Sequence, residues 1–398
     1  MDITIYPGKL AGNVTAIPSK SQAHRLLICA AFSDTSTRIY CEETNQDIEA
    51  TISCLNAIGA DIRRTSYGYH VDPVRVAPET AVIDCDQSGS TLRFLLPIVC
   101  ALGIHATIHM SGRLPERPLS PMWEELERMG CRLTRPARHI IQTAGKLRPG
   151  EYVIAGNISS QFVTGLLFAV SLLEDFSTIR ITGVIESAPY IKMTQEALKL
   201  FGVDMNGYSI KGSYPFQSPG EVTVEGDWSN AAFFLAANNL GNQIVVENLD
   251  VTSSQGDRAI LSILAQKTEN TIISAADIPD LVPILAVYYA VNGGAIFTDI
   301  KRLRLKESDR VESVIRLLNN LGIAAEADEN TLRVFGGEIY GGIVDSFSDH
   351  RVAMAAAIAA TVASEPVTII GAECVAKSYP TFWQEYERLG GKYEQYLR

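Results

Sequence analysis

Six apolar segments recur along the chain, and their regular spacing is the strongest constraint on its fold. They begin at Leu26, Phe94, Phe162, Ala231, Leu281 and Val352, and successive starts lie 68, 68, 69, 50 and 71 residues apart. Each segment is apolar on all sides, as a buried helix is, and each is followed by a short β-rich run. The interval of 50 residues indicates that one unit has lost a piece.

A second series of segments lies between these, and most of its members place apolar residues at helical spacing with a glycine near the end. The repeating unit is therefore a strand, a buried helix, a strand, an amphipathic helix and further strands, used six times. Six units in 398 residues predict two domains of three units each, with a boundary near residues 218–228. The first strand of the chain fits either half.

Composition narrows the class of protein. The net charge of −11 argues against a nucleic-acid coat or an anionic membrane as the main partner. The seven cysteines are odd in number and none has CxxC spacing, which favours a reduced, intracellular protein. The chain shows no signal-peptide pattern and no apolar run of about 18 residues, so we expect a cytoplasmic protein without membrane contact.

Basic residues lie at the entrances of the buried helices. Lys20, Arg25, Arg93 and Arg351 each lie at a predicted helix N-terminus, where a cation opposes the helix dipole. The neighbouring Ser, Asn and Asp residues are explained as N-caps, and Asp227 and Asp349 are read in that way. Capping explains the polar residues but not the cations. A bound anion would compensate these cations, because helix N-termini are natural anion sites.

Further polar residues lie in loops of the same units. Arg117, Lys306, Arg310 and Lys377 are each explained alone as a solvated surface charge, but their clustering at equivalent ends of the units favours a shared cleft for a small polyanion. The carboxylates Asp280 and Glu307 lie among them and could transfer protons, although Asp280 also suits an N-cap. His350 fits a site residue and a structural histidine equally well.

Other chemistries lack their motifs. The chain has no GxGxxG, GxxxxGK[ST], HExxH or GxSxG pattern, and His105 and His109 fall in a predicted strand. We therefore expect no metal and no cofactor, and electrostatic catalysis on small polyanions remains.

Ten short motifs, in order along nearly the whole chain, resemble those of the EPSP synthase family (3-phosphoshikimate 1-carboxyvinyltransferases) of the enolpyruvyl transferase superfamily. They are PSKSQAHR, QSGSTLR, LPERP, SSQF, SAPYIKMT, EGDWSNAAFFLAA, IPD, KESDR, DHRVAMA and AKSYP. The resemblance implies an inside-out α/β barrel fold, with two domains of three βαβαββ-type units and the helices buried inside. It assigns residues 1–13 and 226–398 to one domain and 14–225 to the other, with the active site in the interdomain cleft.

The resemblance also implies a reaction and its residues. Enolpyruvyl would pass from phosphoenolpyruvate to the 5-hydroxyl of shikimate 3-phosphate through a tetrahedral intermediate, with release of phosphate. Asp280 would help remove the hydroxyl proton, Glu307 would protonate the methylene carbon, and Lys20 would stabilise charge or transfer a proton. The residues implied to bind shikimate 3-phosphate are Lys20, Ser21, Arg25, Ser159, Ser160, Gln161, Ser187, Tyr190, Asp280 and Lys306. Those implied to bind phosphoenolpyruvate are Lys20, Gly89, Arg93, Arg117, Gln161, Arg310, Arg351 and Lys377.

Four positions depart from the family pattern without removing a catalytic group: Gln87, Phe94, Ala188 and Arg302. Two alternatives stay open. A UDP-N-acetylglucosamine enolpyruvyl transferase shares the fold but usually carries a catalytic cysteine in a mobile loop, and the loop SGRLPERPLSP has none. A six-repeat clamp or scaffold would need basic helices facing DNA, whereas these helices are apolar or acidic. We expect a monomer whose partners are the two small substrates, without nucleic acid.

Overall fold

The structure is a computed structural model that describes residues 1–212, 214–266 and 271–396. The chain divides into two compact units, Met1–Ile17 with Gly226–Arg398 and Pro18–Glu225. They are called the terminal unit and the middle unit below.

The secondary-structure elements follow one another in a repeating order. The strands are β1 Asp2–Tyr6, β2 Ala11–Thr15, β3 Thr37–Tyr40, β4 Asp61–Thr65, β5 Gly68–Asp72, β6 Thr80–Asp84, β7 His105–His109, β8 Cys131–Ala137, β9 Ile140–Gly145, β10 Glu151–Ala155, β11 Phe176–Thr182, β12 Met205–Asn206, β13 Ser209–Lys211, β14 Glu221–Thr223, β15 Gln243–Glu247, β16 Thr271–Ser274, β17 Gly294–Thr298, β18 Ala325–Ala327, β19 Thr331–Phe335, β20 Gly342–Asp345, β21 Val367–Ile370 and β22 Lys392–Tyr396. The α-helices are α1 Lys20–Ala31, α2 Gln46–Ala57, α3 Gly89–Leu102, α4 Met122–Arg128, α5 Ser160–Ser171, α6 Ala188–Leu200, α7 Trp228–Asn238, α8 Ile260–Ala265, α9 Val282–Ala290, α10 Arg310–Asn320, α11 His350–Ala360 and α12 Phe382–Arg388. Short 3₁₀ turns cover Leu114–Glu116, Gly256–Ala259, Lys301–Leu305 and Ala372–Lys377.

The middle unit contains three four-stranded sheets with one connectivity. Their strand orders are β6-β7-β9-β8, β10-β11-β13-β12 and β14-β3-β5-β4. In each sheet the first two strands are parallel and the others pair antiparallel. A buried helix links the parallel strands β6 and β7, and another links β10 and β11, which is the crossover that parallel pairing requires.

The terminal unit repeats this connectivity with two changes. The sheet β16-β17-β19-β18 keeps the pattern, and in β20-β21-β1-β22 the first strand of the chain takes the third place, between β21 and β22. The remaining sheet has only two strands, β15 and β2, which run parallel. This reduced sheet follows α7, so the missing strands account for the short interval of 50 residues seen in the sequence.

Residues 14–17 lie in the terminal unit, whereas the sequence analysis assigned them to the other domain. The physical reason is the pairing of β2 with β15, which continues through Val14 and Thr15. A boundary after residue 13 would cut through this strand.

The helices of the six apolar segments are the cores of their units. In α11 every residue from His350 to Ala360 is buried, and in α3 all but two of the residues are buried. The strands alternate buried and exposed residues, as β6 does, so each sheet covers the helices with one face and meets solvent with the other. Within the described residues, no helix is both long enough and apolar enough to span a membrane.

Candidate functional site

The N-termini of α1, α3 and α5 begin with serine caps. Ser19 accepts a hydrogen bond from the backbone N–H of Gln22, Ser88 from that of Thr91, and Ser159 from that of Gln161. The cap interpretation is therefore correct for these three serines. The predicted binding residues Lys20, Ser21, Gly89, Ser160 and Gln161 follow in the first turns of the same helices.

Arg25 is a buried cation held by neutral oxygens. Its side chain donates to Thr194 Oγ1 at 2.9 Å, to the Tyr190 carbonyl at 2.8 Å and to the Ser21 carbonyl. Within the residues that the structure describes, no carboxylate pairs with Arg25, although the residue is only 2% exposed. Burial lowers the pKa of Arg25 to about 10. A buried cation without a counterion is costly, so this position is prepared for an anion.

Phe94, one of the departures from the family pattern, supports this arginine. Its ring lies 5.3 Å below the Arg25 guanidinium and meets His24 and Phe168 edge to face. The substitution thus adds an aromatic face beneath the cation, in a fully buried position.

Lys20 is neutralised differently. Its Nζ lies 2.9 Å from Asp47 Oδ2, and both side chains are largely buried. The sequence analysis did not single out Asp47, because a carboxylate in the first turn of an amphipathic helix is ordinary. The ion pair compensates the cation at the N-terminus of α1, and it places a carboxylate next to a predicted catalytic residue.

Arg93 connects α3 with α5 and with the loop that carries Arg117. Its guanidinium donates to Gln161 Oε1 at 2.8 Å and to the Pro118 carbonyl at 3.0 Å, while Gln161 donates to Ser90 Oγ. A Cβ atom on Gly89 would lie 2.5 Å from Arg117 Nη1. The glycine therefore lets the Arg117 guanidinium approach the first turn of α3, so two predicted anion-binding arginines converge there.

Ser187 and Tyr190 lie at the start of α6. Ser187 is buried and its backbone is left-handed, with φ of 56°. The carbonyl of Tyr190 binds Arg25, so α6 joins α1 at the predicted phosphate position. The middle unit thus brings its predicted residues together at the N-terminal ends of α1, α3, α5 and α6.

In the terminal unit, Arg310 is surrounded by three carboxylates. Its Nε lies 2.8 Å from Asp349 Oδ2, its Nη2 lies 2.8 Å from Glu307 Oε2, and its Nη1 binds Asp280. Burial alone would lower the pKa of Arg310, but Asp349, Glu307 and Asp280 hold it well above its ordinary value. Asp349 is the N-cap of α11, as predicted, and its second role as an ion-pair partner was not predicted.

Asp280 contacts three cations. Besides binding Arg310, it lies 3.5 Å from Lys306 Nζ and 3.5 Å from Arg351 Nη2. Burial would raise the pKa of Asp280, but Lys306, Arg351 and Arg310 together hold it well below its ordinary value. Asp280 is therefore a carboxylate at neutral pH. Burial lowers the pKa of Lys306 to about 8, against the opposing effect of Asp280.

Asp257 is a further carboxylate of this cluster that the sequence analysis missed. Its Oδ2 accepts a hydrogen bond from Ser229, whose carbonyl accepts one from Arg351 at 3.2 Å. Burial and the Asp280 charge raise the pKa of Asp257 to about 7, although Arg351 opposes them. It lies in a 3₁₀ turn, and no sequence pattern marked that turn.

Lys377, the remaining predicted residue of this unit, ends the 3₁₀ turn that packs on α11 and is buried. The terminal unit therefore groups Asp280, Lys306, Glu307, Arg310 and Arg351 in one network. Among the residues described, no cluster of three His, Cys, Asp or Glu side chains is suited to hold a metal ion.

Comparison with known proteins gives a consistent result. A family model described as EPSP synthase (3-phosphoshikimate 1-carboxyvinyltransferase) matches residues 5–386. A protein of Clostridium kluyveri named 3-phosphoshikimate 1-carboxyvinyltransferase is 38% identical over 420 residues, which cover 99% of this chain and 98% of the relative. A protein of the same name from Clostridium beijerinckii is 37% identical over 432 residues, with 99% of each chain covered.

The fold comparison agrees. A solved structure of EPSP synthase from Acinetobacter baumannii matches with a TM-score of 0.80 at 23% identity, covering 99% of this chain and 100% of the other. This likeness confirms the inside-out α/β fold that the sequence predicts.

Proposed function

Because the chain belongs to the EPSP synthase family, we propose that it transfers the enolpyruvyl group of phosphoenolpyruvate to the 5-hydroxyl of shikimate 3-phosphate and releases phosphate. The observation that carries this proposal is the pair of cation groups at helix N-termini, one in each unit. Both substrates are small polyanions, and buried guanidinium groups are well suited to bind phosphates and carboxylates.

We assign the phosphate of shikimate 3-phosphate to Arg25 with Ser159 and Ser160. The support is the buried guanidinium without a carboxylate partner, together with the N-terminus of α5, which attracts anions. Ser21, Gln161, Ser187, Tyr190 and Lys306 complete the proposed acceptor site. A phosphate at Arg25 would supply the counterion that the described residues do not provide.

Phosphoenolpyruvate is proposed to bind Arg117, Arg93 and Gly89 of the middle unit and Arg310, Arg351 and Lys377 of the terminal unit. The cations of the terminal unit are already paired with carboxylates, so an arriving anion competes for Arg310 and Arg351 with Asp280 and Glu307.

This competition bears on catalysis. While Asp280 contacts Lys306, Arg310 and Arg351, its low pKa makes it a hydrogen-bond acceptor rather than an effective base. An anionic substrate that draws these cations away would raise the pKa of Asp280 and let it accept the proton of the attacking 5-hydroxyl. Glu307, freed from Arg310 and protonated from solvent, would give that proton to the methylene carbon, and Lys20 would stabilise the charge that develops in the tetrahedral intermediate.

The proposed setting is a monomer in the cytoplasm. All seven cysteines are free, as is usual in a reducing compartment.

The test of the proposal is phosphate release from phosphoenolpyruvate with shikimate 3-phosphate as acceptor. The expected result is stoichiometric release that depends on this acceptor. Release with UDP-N-acetylglucosamine but not with shikimate 3-phosphate would refute the assignment. Arg25→Met should abolish acceptor-dependent release while leaving the thermal transition measurable.

A further inference from the structure

Two consecutive residues of α1, His24 and Arg25, begin separate buried hydrogen-bond networks in the middle unit. The histidine branch consists of His24, Thr51, Thr91 and Ser88 and connects α1, α2 and the N-cap of α3. The arginine branch consists of Arg25, Thr164 and Thr194 and connects α1, α5 and α6. Within the described part of the chain, no hydrogen bond joins one branch to the other.

The hydrogen-bond directions of the histidine branch follow from the bond between Thr91 and Ser88 at its end. Thr91 donates its hydroxyl proton to Ser88 Oγ at 2.7 Å, so it accepts from Thr51 at 2.7 Å. Thr51 has then used its own proton and accepts from His24 Nδ1 at 2.8 Å. His24 is therefore the Nδ1–H tautomer, and its fully buried ring stays neutral because burial lowers its pKa to about 3.

The arginine branch has a similar order. Thr194 donates to the Tyr190 carbonyl at 3.0 Å, so its oxygen is free to accept from Arg25 Nε at 2.9 Å and from Thr164 at 2.9 Å. Thr194 thus fixes the plane of the guanidinium. The two hydroxyl groups and the guanidinium are all buried, where hydrogen bonds are strongest and where an unmade one is most costly.

We propose that these branches are two independent positioning devices, one for each substrate. The histidine branch holds the N-terminal end of α3, which carries Gly89 and Arg93, and so orients the groups assigned to phosphoenolpyruvate. The arginine branch orients the guanidinium assigned to the phosphate of shikimate 3-phosphate. The inference rests on the proposed function for the identity of the substrates and on the hydrogen-bond geometry for the independence of the branches.

The experiment is a crossed substitution of one threonine in each branch. Thr51→Val breaks the histidine branch and Thr194→Val breaks the arginine branch, and each removes one hydroxyl at nearly constant volume. Loss of the hydrogen bond to the Arg25 guanidinium should raise KM for shikimate 3-phosphate about tenfold in Thr194→Val, with KM for phosphoenolpyruvate within about twofold of wild type. Thr51→Val should show the reverse, with KM for phosphoenolpyruvate raised about fivefold, as expected for a neutral hydrogen bond.

Thr51→Ser and Thr194→Ser are the matched controls, because each keeps the hydroxyl and should restore the affected KM. A disturbance shared by the two sites would raise both KM values in each valine variant, and that outcome would overturn the proposal. Equal effects of the two variants on one substrate would overturn it as well.

A spectroscopic measurement separates this inference from the proposed function. Nitrogen chemical shifts of the six histidines should show His24 as a neutral Nδ1–H tautomer in wild type and a changed tautomer balance in Thr51→Val. An Nε2–H tautomer in wild type would refute the histidine branch. If the wild-type protein released no phosphate, the proposed function would fail, while the tautomer measurement would still decide whether the branch exists.

Discussion

The contact between Asp280 and Lys306 makes a quantitative prediction about pH. Burial lowers the pKa of Lys306 to about 8, and the Asp280 carboxylate limits that decrease. The Lys306 amine binds an anion only while it is protonated, so wild-type kcat/KM should fall as pH rises through about 8. This parameter reports ionisations of the free enzyme. Asp280→Asn removes the limiting charge, and the alkaline limb should then move to lower pH.

The size of the shift follows from the distance. The Lys306 Nζ and Asp280 Oδ1 atoms are 3.5 Å apart. At that separation the attraction between two unit charges is about 1 kcal/mol in bulk water and about 5 kcal/mol at an effective dielectric constant of about 20. These values correspond to about one to three and a half pKa units. The alkaline limb of Asp280→Asn should therefore lie between about pH 4.5 and pH 7.

The assay is phosphate release at subsaturating substrate across about pH 4–10, with activity lowered overall in the variant but still measurable. Glu326→Gln is the matched control, because it removes the same charge from an exposed position in β18 of the same unit. It should leave the limb in place. Lys306→Arg should eliminate the limb below pH 10, since a guanidinium stays protonated. An Asp280→Asn profile with an unchanged limb, or a limb that survives in Lys306→Arg, would refute the assignment to this pair.

Three further predictions concern stability. Asp349→Ala should lower the free energy of unfolding by about 3–5 kcal/mol in urea titration, because Arg310 loses a buried partner, and Asp349→Asn should lower it less because the N-cap remains. Gly165→Ala should lower the melting temperature and raise KM for phosphoenolpyruvate, because the new Cβ would lie 2.1 Å from the Arg93 carbonyl and force α3 and α5 apart; unchanged values of both would contradict this close approach. Asp257 has a raised pKa of about 7, so stability should fall as pH rises from about 4 to 7, and in Asp257→Asn this slope should be smaller in melting curves.

The fold was largely predictable because its signal is repeated. Each apolar segment alone fits any buried helix, but six at similar intervals define units, and the structure builds a sheet from each one. The repeat pattern alone could not decide which half the first strand joins, and only the family resemblance placed it with residues 226–398. β1 completes the sheet of β20, β21 and β22 through antiparallel pairs with partners more than 360 residues away, and β2 pairs with β15. Such pairings depend on tertiary closure, which leaves no local pattern.

The cations of the site were predictable from the sequence, whereas most of the carboxylates that pair with them were not. Lys20, Arg93 and Arg351 were found because a cation at a helix N-terminus needs an explanation. Asp47 and Asp257 were missed because an acidic residue in the first turn of a helix or in a 3₁₀ turn needs none. A cation at a helix N-terminus is unusual and can be recognised in the sequence. The carboxylate that pairs with it lies in an ordinary position and cannot be recognised in the same way.

The cations at the helix N-termini are held in two different ways, and the difference affects how strongly each can bind an anion. Lys20 pairs with Asp47 and Arg351 pairs with Asp280, so each of these charges is compensated within its own unit. Arg25 instead donates to threonine and carbonyl oxygens, which orient a guanidinium without neutralising it. An anion gains most where no carboxylate must first be displaced. Arg25 is therefore the group from which a bound phosphate should draw the largest share of its affinity, and Arg25→Met should weaken shikimate 3-phosphate binding, measured by calorimetry, more than Arg351→Met does.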